Sequence, residues 1–351
     1  MKEKDFMQHA IKISLKGNPF PNPFVGCVIV KEGKIVGQGF HEKYGENHAE
    51  VNALNKAGEK ARNAEMYVSL EPCNHYGKTP PCTKKIIQSG IKKVVIALKD
   101  PNPLVNGKGI KTLKEAGIEV ETGLMEEKAR KINKAFFKFQ EKRKPLVILK
   151  AAISLDGKIA TKEFDSKWIS SEKSRNKVHE MRSKVDAVLV GGNTVIKDNP
   201  RLNARIENGR NPLKVIVTTK KISPDYNVFN DSNFLVATTN KNNFSEKKFE
   251  GKVLELKTAN NLVDLKTLLF ILAEKKVSSI LVEGGSAIFT SFLTEKLADK
   301  LMLFISPKIL GNDSIPVFGF LGFEKVSESP ELKNPVFTKI GSDVLFEADL
   351  K

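Results

Sequence analysis

Three side chains in one short stretch of the chain could bind a metal ion: His48, Cys73 and Cys82. An imidazole and two thiolates are ligands of the kind that zinc prefers. A site with three protein ligands keeps a fourth position open for water, and zinc lowers the pKa of that water to about 7. Glu50 lies two residues beyond His48 and is not needed as a ligand. Its carboxylate is therefore placed to take a proton from the water and to return it to a leaving amine.

A closed structural zinc site is the alternative for the same residues, with Cys27 or His75 as the fourth ligand. A structural site has no use for Glu50, so we prefer the open, catalytic site. Cys27 lies in the apolar run of residues 25–30, and this setting favours a small buried core residue over a ligand.

The spacing of these residues resembles that of a known enzyme family. The H-x-E sequence at His48 and the Pro-Cys pair at Cys73 are similar to the zinc-dependent nucleoside and nucleobase deaminases. Those enzymes usually close the motif with C-x-x-C, whereas here the eight residues N-H-Y-G-K-T-P-P separate Cys73 from Cys82. This insertion resembles the deaminase half of the bifunctional riboflavin-biosynthesis deaminase/reductases.

Length and composition bound the class of protein. The 351 residues suggest two domains of ordinary size, and 40% hydrophobic with 28% charged residues is typical of a globular protein. No run approaches the roughly 18 apolar residues of a membrane span, and the charged start is unlike a secretory signal. Three cysteines, two of them candidate ligands, argue against a disulfide framework. We therefore expect a cytoplasmic protein without a membrane partner.

The net charge of +17 raises the possibility of nucleic-acid binding. The lysines are spread along the whole chain, however, and arginine, the better reader of bases and phosphates, is scarce. We therefore expect no nucleic-acid partner, because a positive field also suits an anionic, phosphorylated small substrate. The alternative is a nucleic-acid base deaminase with a C-terminal RNA-binding module, whose RNA affinity would fall steeply with salt.

The first half alternates between predicted strands and helices. We predict strands at residues 24–30, 34–40, 66–70, 94–98 and 118–121, and helices at residues 3–16, 48–57, 82–89, 110–116 and 125–141. Side chains that are two residues apart on an ideal helix point in different directions. For both to face the metal, His48 and Glu50 must therefore lie at the start of a helix. Charge and a proline at Lys144-Pro145 place the domain boundary there, which gives an α/β domain at residues 1–144 with the metal at strand ends.

The second half predicts another α/β sheet. We predict strands at residues 146–152, 187–190, 213–218, 234–238, 279–283, 301–306 and 344–348, a helix capped by Ser170 or Ser171, and a helix at residues 287–293. Two strand–Gly-Gly–helix junctions, at Gly191 and Gly284, could each accept a phosphate. The sequence contains neither a strand-linked G-x-G-x-x-G nor a Walker A motif, which disfavours a Rossmann domain and a P-loop domain. Residues 229–232 and 240–249 are predicted to be the least ordered polar loops.

Segments of the second half, at residues 150–158, 165–169, 191–200 and 282–286, resemble the reductase half of the same riboflavin family. The resemblance covers nearly the whole chain in the right order. It implies an N-terminal cytidine-deaminase-like layered sheet and a C-terminal domain at residues 145–351 that is similar to dihydrofolate reductase. It further implies hydrolytic deamination of a diaminopyrimidinone that carries a phosphoribosylamino group, then NADPH-dependent reduction of the ribosyl group to ribityl. Homo-oligomerisation is left open.

The resemblance also assigns roles to residues of the first half. It implies one Zn²⁺ per chain on His48, Cys73 and Cys82, with Glu50 as the proton shuttle. The deaminase pocket is expected to be lined by Asn22, His41, His75, Lys78, Asp100 and Asn102. Lys78 is the candidate for the ribose phosphate, and His75 has a competing role as a donor that fixes its loop.

The corresponding roles in the second half concern cofactor and substrate. NADPH is expected to contact Ala152, Trp168, Thr194, Asp198 and a loop comprising Gly285, Ser286, Ala287, Ile288, Phe289 and Thr290. Substrate is expected to contact Ser166, Arg182, Leu202, Arg205 and Glu283. Lys150 and Glu283 are the first candidates for catalysis. Trp168, the single tryptophan, has a competing role as a core aromatic, and the scarcity of arginine favours an anion site at Arg182 and Arg205.

Overall fold

A computed structural model describes residues 2–207, 209–257 and 262–350 of the chain. The chain divides into two compact units, of which the first ends at Arg143 and the second begins at Lys144. In the described ranges, every helix is too short or too polar to cross a membrane.

The first unit is a five-stranded sheet in the order β2-β1-β3-β4-β5, covered by helices on both faces. Strands β3, β4 and β5 are parallel, and β1 runs antiparallel to β2 and to β3. The strands are β1 Gly26–Lys31, β2 Lys34–Phe40, β3 Glu65–Val68, β4 Lys93–Ile96 and β5 Glu119–Thr122. The helices are α1 Glu3–Ser14, α2 Ala49–Ala57, α3 Cys82–Gln88, α4 Lys108–Glu115, α5 Glu126–Ile132 and α6 Lys134–Lys142. Because strands β3 and β4 are parallel, the turns that follow them meet at the same edge of the sheet.

The single helix predicted at residues 125–141 is wrong, because the chain breaks into α5 and α6 at Asn133. The Asn133 side chain is buried, accepts a hydrogen bond from the Phe24 N–H at 2.8 Å and donates to the Phe24 carbonyl oxygen at 2.9 Å. This long-range amide pair satisfies two backbone groups of Phe24, a gain that helical periodicity cannot reveal. The break also lets α6 bring Phe136 to the cavity described below.

The second unit is a nine-stranded sheet in the order β11-β10-β9-β8-β12-β6-β13-β16-β15. Its strands are parallel up to β13, and the hairpin of β15 and β16 closes one edge antiparallel. The strands are β6 Leu146–Ile153, β7 Lys158–Ala160, β8 Ala187–Gly191, β9 Leu213–Thr218, β10 Phe234–Thr238, β11 Val253–Glu255, β12 Ser279–Val282, β13 Lys300–Ile305, β14 Ile315–Pro316, β15 Leu332–Ile340 and β16 Asp343–Leu350. The helices are α7 Glu172–Ser183, α8 Gly192–Asp198, α9 Leu265–Glu274 and α10 Ser286–Thr294, and β7 pairs with β14 outside the main sheet. The expectation of two α/β domains is confirmed.

Two local predictions for the second unit have opposite outcomes. Ser171 caps α7, as one of the two candidates predicted, because its side chain accepts a hydrogen bond from the Ser174 N–H. The segments at residues 229–232 and 240–249 are not open polar loops. Their aromatic residues Phe229, Phe244 and Phe249 are buried, and the rings of Phe229 and Phe249 pack edge to face at 5.1 Å. Burial of these large rings outweighs the polar composition around them.

Candidate functional site

The three candidate metal ligands converge at one edge of the first sheet. His48 is the residue preceding α2, Cys73 lies in the turn that follows β3, and Cys82 is the first residue of α3. His48 Nδ1 is 3.5 Å from Cys73 Sγ and 3.3 Å from Cys82 Sγ, and all three ligand atoms lie within 4.8 Å of one another. Tetrahedral zinc, with bonds of about 2.3 Å to sulfur and 2.0 Å to nitrogen, would place sulfur and nitrogen roughly 3.5 Å apart. The donor set therefore fits zinc in both chemistry and spacing.

The two thiols are electrostatically unequal. The Cys82 side chain, with help from His48 and from the Cys82 backbone N–H, lowers the pKa of Cys73. The hydrogen bond between the Cys82 and Cys73 side chains and the burial of Cys82 both raise the pKa of Cys82. Such a coupled pair shares one proton, and a metal ion would remove that proton because it binds thiolates.

The closed four-ligand alternative finds no support in the part of the chain that the structure describes. The cluster of candidate ligand atoms there consists of His48, Cys73 and Cys82 alone. Cys27 is fully buried in β1, as predicted for a core residue. His75 stands apart from the cluster, at the wall of the adjacent cavity.

Glu50 lies beside the ligands as a buried carboxyl group. His48 has an extended backbone and Glu50 belongs to the first turn of α2, so the two side chains can face the same space although they are two residues apart. Burial raises the pKa of Glu50 to about 7, although nearby His48 acts to lower it. A carboxyl group that titrates near neutrality can both accept and return a proton.

A cavity of about 270 Å³ opens over His48, Cys73 and Glu50. All six residues predicted for the deaminase pocket line it, namely Asn22, His41, His75, Lys78, Asp100 and Asn102. Prediction from sequence missed Tyr44, Glu71 and Phe136, which also line it. Tyr44 and Glu71 adjoin the motif residues in sequence, whereas Phe136 comes from α6, far along the chain, and no local pattern points to it.

On one wall of the cavity, Asn22 and His41 form a hydrogen-bonded pair. The Asn22 amide nitrogen donates to His41 Nε2 at 3.0 Å, so the ring proton belongs on Nδ1, which donates to the Asn47 carbonyl oxygen at 3.2 Å. Burial lowers the pKa of His41, which agrees with this neutral tautomer. The ring also packs edge to face on His48 at 5.0 Å.

Other residues that line the cavity are suited to a polar ring and an anion. Asp100 accepts a hydrogen bond from the Asn102 N–H at 2.8 Å, and burial raises the pKa of Asp100 to about 7. At the exposed mouth, the Lys78 ammonium lies 4.2 Å from the centre of the Tyr44 ring. The Nδ1 atom of His75 is buried without a hydrogen-bond partner, so this nitrogen does not fix the loop as the competing role required.

The second unit brings Lys150, Arg182 and Glu283 together. Glu283 follows β12 and receives Lys150 Nζ at 3.0 Å, Arg182 Nε at 2.6 Å and Arg182 Nη2 at 2.9 Å. These cations overcome the opposing effect of burial and hold the pKa of Glu283 well below its usual range. Glu283 is thus favoured as a carboxylate between two cations.

The predicted anion-binding arginines are close to each other but differ in their partners. Arg182 is already paired with Glu283 and also donates to the Asn203 carbonyl oxygen at 3.2 Å. Arg205 donates to the Asn203 side chain at 3.1 Å, and burial together with the charge of Arg182 lowers its pKa. Leu202, predicted to touch substrate, is 3% exposed and belongs to a hydrophobic core cluster.

The two strand–Gly–helix junctions lie side by side, because β8 and β12 are neighbours in the sheet. A Cβ atom on Gly285 would lie 3.9 Å from the Thr194 hydroxyl, and one on Gly284 would clash with Ile288 at 2.8 Å. Gly285 precedes α10 and the residues from Ser286 to Thr290 form its start, which agrees with the helix predicted at residues 287–293 and not with the loop that the resemblance implied. The ring of Phe289 is 1% exposed and packs in the core.

The remaining predicted cofactor residues have varied settings. Ala152 lies on β6, and the Asp198 carboxylate at the end of α8 accepts a hydrogen bond from the Ser166 side chain. Trp168 is 61% exposed, with the Arg175 guanidinium 4.5 Å from its ring centre. The competing role of Trp168 as a core aromatic is therefore wrong.

Comparisons with known proteins match both units. The family model described as the RibD C-terminal domain matches residues 145–346, and the one described as the cytidine and deoxycytidylate deaminase zinc-binding region matches residues 1–98. The chain is 45% identical to the riboflavin biosynthesis protein RibD of Aquifex aeolicus, over 98% of this chain and 97% of that protein. The identity to the RibD of Escherichia coli is 35%, over 98% of each.

Solved structures agree with this match over the full length. The structure of Acinetobacter baumannii RibD has a TM-score of 0.90 at 37% identity, over 99% of this chain and 98% of that one. A Thermotoga maritima protein described as a diaminohydroxyphosphoribosylaminopyrimidine deaminase/5-amino-6-(5-phosphoribosylamino)uracil reductase has a TM-score of 0.86 at 41% identity, with the same coverage.

Proposed function

Because the chain belongs to the RibD family of riboflavin biosynthesis proteins and is a bifunctional deaminase and reductase, we propose a substrate and a site for each activity. Residues 1–144 deaminate a diaminopyrimidinone that carries a phosphoribosylamino group. Residues 145–351 then use NADPH to reduce the ribosyl group of the product to ribityl. The observation that carries the deaminase assignment is the cluster of His48, Cys73 and Cys82 with the buried carboxyl group of Glu50, which is not a member of the cluster, beside it.

In the deamination, Glu50 handles the proton. Zinc held by the three ligands supplies the Lewis acidity that makes water nucleophilic at neutral pH. Water adds to the ring carbon that bears the amino group, and Glu50 takes its proton. Glu50 then passes this proton to the amino nitrogen, the carbon–nitrogen bond breaks, and ammonia leaves.

The cavity walls orient the substrate for this attack. The neutral pair of Asn22 and His41, together with His75, Asp100 and Asn102, provides donors and acceptors for the edges of the pyrimidine. Lys78 at the mouth provides a cation for the ribose phosphate. The substrate is a small molecule, and nothing in the cavity favours a nucleic acid.

The reduction uses the cluster around Glu283. NADPH supplies the hydride. The residues proposed to contact NADPH would direct this hydride to the substrate. They are Ala152, Trp168, Thr194, Asp198 and residues 285–290. Ser166, Arg182, Leu202, Arg205 and Glu283 form the proposed substrate site. Lys150, which donates to Glu283 at 3.0 Å, is the proposed source of the proton that the reduced substrate needs. Glu283 keeps Lys150 in place and balances its charge.

We place the enzyme in the cytoplasm. Its three cysteines are free in the structure, and two of them serve best as thiolates on zinc. A reducing compartment keeps them in that form.

The function is tested by following ammonia release and NADPH oxidation together on the phosphoribosylaminopyrimidine. Equal amounts of both products are expected, with ammonia appearing first and without any need for NADPH. The proposal fails if neither is formed, and RNA binding that weakens steeply with salt would favour the nucleic-acid alternative.

Cys82→Ala is expected to lose zinc. The wild-type protein should bind one zinc per chain, and removal of one of three ligands leaves too few for a stable site. Metal content is measured by mass spectrometry after dialysis against a weak chelator. Cys27→Ala is the matched control and should keep its zinc, because Cys27 is not a member of the cluster of ligand atoms. Zinc retained undiminished in Cys82→Ala would contradict the assignment.

The full-length chain is expected to bind NADPH more tightly than NADH. The extra phosphate adds a charge-assisted hydrogen bond worth about 1.5–3 kcal/mol, which corresponds to a preference of about ten-fold or more. Isothermal titration with both cofactors measures it. Equal affinities would refute the preference, and the absence of binding by either would refute the cofactor assignment.

A further inference from the structure

Glu71 is a buried carboxylate at the cavity for which neither proposed reaction has a use. It follows β3 and lies two residues before the metal ligand Cys73, and it is only 3% exposed. A buried carboxylate is costly unless hydrogen bonds compensate for the lost water. What surrounds this side chain therefore indicates its task.

The compensation comes from four backbone N–H groups of one neighbouring segment. Oε2 accepts from the Asp100 N–H at 3.2 Å and from the Gly107 N–H at 3.0 Å. Oε1 accepts from the Gly109 N–H at 3.1 Å and from the Ile110 N–H at 3.2 Å. The carboxylate thereby caps the start of α4, where unpaired N–H groups favour a negative charge.

These bonds hold the segment between β4 and α4 at two points. Asp100 lies inside the segment and Gly107 ends it, and the N–H of Asn102 between them donates a hydrogen bond to the Asp100 carboxylate. Asp100 and Asn102 are the two members of this segment proposed to bind substrate. The Glu71 side chain thus links these two residues to the turn that carries Cys73.

A second contact acts in the same place. A Cβ atom on Gly109 would lie 2.1 Å from the carbonyl oxygen of Pro72, the residue between Glu71 and Cys73. The start of α4 therefore rests directly on the backbone of the turn that carries Cys73. Both the hydrogen bonds and this close approach fix the same spacing.

We propose that Glu71 is a positioning residue of the deaminase site, which holds the turn of Asp100 and Asn102 at a fixed distance from Cys73. The inference rests on the proposed function, because it assumes that this turn binds the pyrimidine. Glu71 does not contact the reacting atoms, and it acts through Asp100 and Asn102. A displacement of about 1 Å at such a site can cost up to about a hundred-fold in rate.

Glu71→Gln is the first test variant. An amide oxygen can replace one carboxylate oxygen, but the amide NH₂ would face two N–H donors and push them away. We expect kcat/KM for ammonia release to fall about ten- to a hundred-fold with zinc content unchanged. Glu65→Gln, at the other end of β3 and away from the cavity, is the matched control and should behave as wild type.

A double-mutant cycle with Asn102→Ala separates positioning from general stability. If Glu71 acts through the turn, the loss in the double variant should be far smaller than the product of the two single losses. Multiplicative losses would overturn the proposal, and so would loss of zinc in Glu71→Gln, since Glu71 would then act on Cys73.

Gly109→Ala disturbs the same spacing from the other side and should show the same non-additivity with Asn102→Ala. This variant tests the proposal if Glu71→Gln does not fold. If wild type and Glu65→Gln release no ammonia, the proposed function fails instead.

Discussion

Glu50→Gln should keep its zinc and lose ammonia release by about a hundred- to ten-thousand-fold. Glutamine is nearly isosteric with glutamate, so α2 and the three ligands should survive the change. It cannot take up and return a proton at neutral pH. Glu50 would serve both the attack of water and the departure of ammonia, which places the loss at the upper end of that range.

The same preparation provides the controls for this experiment. Zinc content, ammonia release, and NADPH oxidation on supplied deaminated intermediate are measured together. Reductase activity should persist, because its proposed residues belong to the second compact unit. Glu59→Gln, an exposed glutamate shortly after α2, is the matched substitution and should leave both activities intact. Near-normal ammonia release from zinc-loaded Glu50→Gln would remove Glu50 from its role.

The metal cluster could be predicted from sequence because its geometry is local. One helix start and one strand-to-helix turn deliver His48, Cys73 and Cys82, and the spacing of the motif encodes both. The predicted family, the two-domain α/β organisation and the bifunctional activity are confirmed. The roles assigned to individual residues remain predictions, although all six residues predicted for the deaminase pocket line one cavity.

Contacts between distant segments could not be predicted in the same way. Asn133 breaks a helix in order to pair with Phe24, which is 109 residues earlier in the chain. Glu71 looks in sequence like one more charged residue beside a motif, and its task appears only when α4 is seen to start against it. The prediction also omitted α9, β7, β11, β14 and β15; β15 is mostly exposed and contains a proline, so it lacks the alternating apolar pattern of a half-buried strand.

The cluster of Glu283 is a similar case, in which the residue types were predicted but not their electrostatic state. Glu283 and Lys150 looked like two separate titratable groups for catalysis. The structure joins them in one network with Arg182, two cations to one carboxylate. Glu283 is the counter-charge of both cations. We therefore expect its replacement to have the largest effect on the stability of the second unit.

Glu283→Gln should destabilise the second unit by about 3–5 kcal/mol, because it leaves two largely buried cations without their counter-charge. Urea unfolding followed by the fluorescence of Trp168, the single tryptophan, measures the change in the free energy of unfolding. Glu347→Gln breaks the more exposed pair with Lys300 and should cost no more than about 1 kcal/mol. NADPH oxidation on supplied intermediate should fall in Glu283→Gln, while ammonia release should persist.

The difference in the free energy of unfolding between wild type and Glu283→Gln should depend on pH, because the pKa of Glu283 is depressed. An unfolded glutamate has a pKa of about 4.3, so the carboxylate contributes its full stability above that pH and loses it as pH falls toward the lower folded pKa. The difference in the free energy of unfolding between wild type and Glu283→Gln should therefore be widest near neutrality and shrink below about pH 4.

Lys150→Met in the Glu283→Gln background removes one cation that has lost its counter-charge, and it should restore part of the stability without restoring reduction. Equal stability of Glu283→Gln and wild type at pH 7 would mean that water, rather than Glu283, balances the two cations.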